Sequence, residues 1–183
     1  MSSLCKLVAH LLSMVEILII FCLILINGVF AMSEIAMVAA KKARLEKAAK
    51  KGVKTAQKAL ALSANPGRFL STVQIGITLI GILTGIYSGE KYEADLEAFL
   101  NRFEMIKPYS ETLAVTSIVM ILTFFSLVLG ELVPKRIGLT MPETISRVMA
   151  YPMYWISIIA APFTWLLTFT SDLLIKILHV KKS

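Results

Sequence analysis

Charge is scarce in this chain. Only 17% of its 183 residues are Asp, Glu, Lys or Arg, whereas 57% are hydrophobic, and the mean hydropathy is +0.76. An ordinary soluble domain carries about a quarter charged residues, so the balance excludes that class and predicts a membrane protein. Cysteine is nearly absent too. Cys5 and Cys22 are the whole supply, too few and too far apart for a disulfide framework or a metal knuckle. No nucleophile, general base and orienting partner recur together, so enzymatic chemistry is not expected. The net charge of +7 comes from bases set beside apolar runs, without the interleaved aromatics of a nucleic-acid surface, and nucleic acid is not an expected partner. The first apolar run is too long for a signal peptide and lacks a small-residue cleavage site, so it reads as a retained helix.

What is present is a series of apolar runs divided by charged segments. Residues 11–40 exceed the roughly 20 that a bilayer span requires and form a first transmembrane helix. Asn27, Ala31 and Glu34 share one face of it, with Ser33 close by, a face expected to meet protein rather than lipid. Ser33 and Glu34 also fit a polar membrane exit beside Lys41 and Lys42. Residues 41–68 hold nine bases against the single acid Glu46. They form a cytoplasmic segment by the positive-inside rule, helical by composition, weakened at Gly52, closed by Asn65-Pro66-Gly67, and suited to anionic lipid headgroups.

A second span is expected over residues 69–88. Ser71, Gln74, Thr78, Gly81, Gly85 and Ser88 recur on it three and four residues apart. Gly81 and Gly85 suit close helix packing, while Gln74 and Thr78 supply oxygens; a packing seam alone is the plainer reading. Residues 89–111 reverse the balance, with six acids against three bases, and are expected to form an outer loop with a short amphipathic helix. A third span covers 112–138, which places the N-terminus outside. In residues 141–180, Pro142, Pro152 and Pro162 divide a run rich in Tyr and Trp. Its pattern suits either a fourth span or helices lying on the membrane.

The most unusual stretch is Gly130-Glu131-Leu132-Val133-Pro134-Lys135. A charged side chain in a bilayer helix costs roughly 2.5–3.5 kcal/mol, so Glu131 must pair, sit near an interface, or bind a cation. Pro134 has no N–H to return to the carbonyl of Gly130, and an oxygen-rich break in a membrane helix suits a desolvated cation. An interfacial ion pair between Glu131 and Lys135, one helical turn apart, is the competing reading.

Phe30-Ala31-Met32-Ser33-Glu34-Ile35-Ala36, Asn65-Pro66-Gly67 and Gly130-Glu131-Leu132-Val133-Pro134-Lys135-Arg136, in that order, resemble the membrane domain of the CNNM/CorC family of magnesium- and cobalt-transport-associated proteins. The resemblance implies an all-α membrane domain of a bacterial plasma membrane. It would be a homodimer of three-helix protomers, with residues 141–180 as an amphipathic belt on the cytoplasmic side. It also implies a continuation into cytoplasmic CBS domains, often followed by a CorC-type domain, absent from this sequence.

Transporting members enclose Mg²⁺ with a helix-one serine, a helix-two serine, a nearby asparagine and the helix-three glutamate. Glu131 matches that glutamate and Ser71 the second-helix serine. Ala31 replaces the first serine of the usual pattern, leaving Ser33, and Ile77 replaces the asparagine, leaving Gln74 and Thr78 as the nearest polar residues. Mg²⁺ wants about six oxygens in octahedral array, so the two replacements weaken that ion specifically. The expected cation site is therefore Glu131, Ser71, Ser33, Gln74, Thr78 and Gly130, supported by Asn27, Glu34, Pro134 and Lys135, in a cavity that faces the cytoplasm. The leading expectation is export of Mg²⁺ or Co²⁺, with Mg²⁺ as substrate and no other cofactor. The alternatives are export of a polyamine, since relatives of this broad family are associated with it, and a non-transporting anchor for CBS domains.

Overall fold

A long apolar run can satisfy its backbone in lipid only as a helix, and in the computed structural model the first run is a single helix, α1, over Ser2–Ala39. The structure describes residues 2–88 and 90–177, and no strand occurs among them. Residues 178–180, the end of the expected belt, and residue 89 of the outer loop lie outside the described residues. Among the described residues three stretches are long and apolar enough to cross a membrane, Met14–Ala39, Pro66–Tyr87 and Lys107–Thr140, and a bent pair near the C-terminus qualifies as a fourth only if taken as one span. The chain divides into two compact units: residues 1–32 with 77–137, and 33–76 with 138–183.

In the first unit, the earlier part of α1 meets the third span. That span is built from α6 over Ser110–Leu127, a π-turn over Val128–Leu132, and the start of α7, Val133–Thr140. The acidic outer segment folds as α5, Glu90–Leu100, which packs along α6. The corner between them is fixed by Ser110, whose hydroxyl donates to Asn101 Oδ1 at 2.8 Å. Phe124, Phe125, Ile121 and Met120 point outward from α6, the surface a span turns to lipid.

In the second unit, the basic segment folds as α2, Lys42–Lys50, and α3, Lys54–Ser63. Gly52, with φ +85°, turns the chain between them, a conformation that costs a side-chain-bearing residue far more. Ala56, Ala59 and Leu62 of α3 are buried, as are Ala150, Met153 and Ser157 of α8, Pro142–Ile159, on which α3 packs. Arg44 pairs with Glu143 at 3.4 Å and ties α2 to the first turn of α8. Between α8 and α9, Ala161–Ile177, the axis bends by 68°, where Pro162 denies the helix a continuing N–H.

The second span, α4, begins earlier than the turn chemistry suggests, running Pro66–Ser88. Proline at the first helical position forfeits only an N–H that would have been unpaired anyway. Phe69 N–H reaches the Asn65 carbonyl at 3.2 Å and closes the first turn.

Candidate cation site at the broken third span

The break begins with a missing donor. Pro134 cannot return an N–H to Gly130, and around it the helix widens to a π-turn in which Val133 N–H bonds back to the Val128 carbonyl. Such single wide turns arise where a regular ladder cannot close, and they concentrate at functional positions. The Gly130 carbonyl takes its hydrogen bond from another helix instead: Asn27 Nδ2 of α1 donates to it at 3.1 Å. The same side chain keeps Asn27 Oδ1 buried and without a hydrogen-bond partner among the described residues. An acceptor in that condition costs about 1–3 kcal/mol, so it calls for an explanation.

Two glycines make this approach close enough. A Cβ on Gly28 would stand 2.8 Å from Pro134 Cγ and 2.9 Å from the Leu129 carbonyl oxygen. One on Gly130 would stand 3.1 Å from Asn27 Nδ2 and 3.3 Å from the Ile24 carbonyl oxygen. The proline ring thus rests on a glycine of α1, and the π-turn lies against the backbone one turn earlier. Gly28 was not among the expected site residues. Its only local signal is a lone glycine beside Asn27 in an otherwise helical run.

Glu131 follows Gly130 directly. Its carboxylate accepts from Lys135 Nζ at 2.7 Å, with both side chains partly open, 42% and 36% exposed. The acid is therefore balanced by a primary ammonium on its own helix and remains reachable. Of the other expected residues in this unit, Thr78 is exposed on α4, and a Cβ at Gly81 or Gly85 would meet nothing within 4 Å. Among the described residues of one chain the close approach is made instead at Gly28 and Gly130.

Ser33, Glu34, Ser71 and Gln74 fall in the second unit. Ser33 is fully buried, Glu34 and Ser71 are half-buried, and Gln74 is exposed. Thr72, beside Ser71, is buried and spends its hydroxyl on the Arg68 carbonyl at 2.8 Å. Among the described residues no group of three or more His, Cys, Asp or Glu could hold a metal ion.

Comparison with known proteins matches residues 17–183 to the cyclin M transmembrane N-terminal domain. The chain belongs to the CNNM family. It is 44% identical over 165 residues to the UPF0053 protein sll0260 of Synechocystis, covering 90% of this chain and 37% of that protein. It is 31% identical over 162 residues to a protein of Escherichia coli K12 named polyamine export protein, covering 88% and 36%. It is 29% identical over 162 residues to the UPF0053 protein YhdP of Bacillus subtilis, covering 88% and 36%. The chain thus spans little more than a third of the length of these relatives. As a CNNM domain with at least three helices, among the described residues, long and apolar enough to cross a membrane, it is a multi-pass membrane protein.

Proposed function

We propose that this CNNM domain exports cations, that Glu131 is the anionic anchor of the path, and that the substrate carries primary ammonium groups, as a polyamine does. The observation that carries this reading is the π-turn itself. It leaves Asn27 Oδ1 buried and without a partner among the described residues while the same side chain donates to the Gly130 carbonyl, and the next residue in the chain, Glu131, carries a half-exposed carboxylate; acceptor oxygens of this kind suit a donor-rich cation. Two observations favour an organic ammonium. Glu131 already holds an alkylammonium, that of Lys135, at 2.7 Å, and a substrate of the same chemistry would exchange with it. A relative at 31% identity is named for polyamine export.

A divalent ion such as Mg²⁺, with Co²⁺ as its analogue, is the second reading, favoured by the all-oxygen character of Glu131, Gly130 and Asn27. Ser33, Ser71, Gln74 and Thr78 are assigned as further oxygens on the strength of the family pattern, and Glu34 as support. We place the domain in a bacterial plasma membrane with its N-terminus outside and residues 141–177 as a belt on the basic side. It would work as a homodimer with CBS domains attached in a longer chain, and no enzymatic step is assigned.

The test is efflux from proteoliposomes loaded with putrescine or with Mg²⁺. The wild-type chain should release putrescine, and Glu131→Gln should reduce release to the rate of empty liposomes. Release of Mg²⁺ alone would establish the second reading. Release of neither by the wild type would overturn transport and leave the Glu131–Lys135 pair as a structural ion pair anchoring a scaffold.

A further inference from the structure

In the second unit, α3, the first turn of α4, and α8 enclose a cleft of about 200 Å³. Asn65, Arg68, Phe69, Tyr154, Ser157 and Ile158 line it, and no acid does. One cation, Arg68, lines it, and a second, Lys58, stands over the ring of the lining residue Tyr154. Arg68 Nη2 reaches the Ser157 carbonyl at 3.5 Å, the outer limit of a hydrogen bond, so a guanidinium with five donors makes at most one weak contact there. Lys58 Nζ lies 3.3 Å from the centroid of the Tyr154 ring, one turn earlier on the same helix. The cleft thus presents an exposed guanidinium, with an ammonium over the ring of one lining residue and no carboxylate among the lining residues, an arrangement that attracts an anion with several acceptor oxygens.

The walls say which anion. Phe69 and Ile158 make one side apolar, and Arg68 stands at the start of a membrane-crossing helix, the depth of lipid phosphates. Trp155, Ile159 and Phe163 of the neighbouring surface are exposed, as amphipathic helices at a membrane interface are. We propose that this cleft binds one anionic phospholipid. Its phosphodiester is held by Arg68, Lys58 and Asn65, its acyl chains run along the exposed Ile158, Trp155 and Ile159, and it belongs to the leaflet faced by the basic segment. This differs from diffuse adsorption of the lysines of α2, because it assigns a single lipid to a single place. It does not depend on what the domain transports.

Native mass spectrometry of the chain, released from micelles holding equal phosphatidylglycerol and phosphatidylcholine with matched acyl chains, tests it. The wild type should retain one phosphatidylglycerol in preference to phosphatidylcholine. Arg68→Gln should lower that retention about fivefold, the worth of one basic residue at a lipid surface, and Lys58→Met should lower it to a similar degree. The double change Lys47→Gln with Lys50→Gln, which removes more charge but lies on α2, should leave it unchanged. Equal loss in the α2 variant would overturn the proposal in favour of general attraction. Displacement of the lipid by millimolar inorganic phosphate would overturn it in favour of a free-anion site. If Arg68→Gln fails to fold, Arg68→Lys and Lys58→Met decide, and unchanged retention in both overturns the site.

Discussion

Two pairs of glycines on the membrane helices have opposite surroundings. Gly81 and Gly85 lie one turn apart on a single helix, and a Cβ at either meets open space among the described residues. Gly28 and Gly130 lie on different helices, with no sequence relation between them, yet a Cβ at either would press on the neighbouring backbone. The familiar small-residue spacing therefore marks a surface that can be approached, whereas the pair that is approached is made by two single glycines flanking a broken span. The difference has a local cause. Pro134 leaves a carbonyl that must find a donor off its own helix, and only glycine at 28 and 130 lets Asn27 come near enough to supply it.

The largest break in this comparison is Gly28→Ala. A methyl 2.9 Å from the Leu129 carbonyl oxygen cannot be relieved by a side-chain rotation, so the helices must part. We expect a loss of about 1–3 kcal/mol, the usual cost of overpacking, in reversible unfolding titrations with sodium dodecyl sulfate in mixed micelles. A value indistinguishable from wild type would mean that α1 and the π-turn do not meet in the membrane. Next comes Asn27→Ala, which strips the Gly130 carbonyl of its donor. Hydrogen bonds between membrane helices average about 0.6 kcal/mol and reach about 1.7, so about 1 kcal/mol is expected in the same titration. The change also removes the unpartnered Oδ1, which offsets part of the loss. The effects of Asn27→Ala and Gly130→Ala should combine non-additively by about 0.5 kcal/mol or more, because the two positions are in contact. Strict additivity would show that a Cβ at position 130 does not press on the Asn27 side chain.

How much of this could be read from the residues depended on whether the cause was local. That Gly130 would lose its helical partner follows from Pro134 four residues on, and the structure has that carbonyl bonded outside its helix. The three-span plan and the helical basic segment broken at Gly52 were legible because apolar run length, charge and one glycine specify them. The partner of the freed carbonyl was not legible. Asn27 stood out as polar on a helix face, but nothing in its neighbourhood names a residue a hundred positions away. Gly28 was missed for the same reason: without a side chain it carries no chemistry, and its role lies wholly in what comes close. The start of α4 at Pro66 rather than Phe69 reflects a proline that serves as both turn residue and first helical residue.

The smallest effect is the one that sharpens the contrast. Gly81→Ala and Gly85→Ala add a methyl to open space on an exposed helix face. Alanine is the better helix former by up to about 1 kcal/mol in water, and in a bilayer the backbone has fewer alternatives, so the gain should be smaller. The expected change is between zero and about 0.5 kcal/mol of stabilisation for the single chain. The informative variant is Gly81→Leu, compared with wild type in cross-linking within membranes at dilute protein-to-lipid ratio. If a second copy uses this stripe, the bulky side chain should abolish the cross-linked dimer while leaving single-chain unfolding unchanged, because small residues are what allow two backbones to approach in lipid. If dimer and unfolding are both unaffected, the stripe faces lipid, and the close approach of α1 to the broken span at Gly28 and Gly130 owes nothing to it.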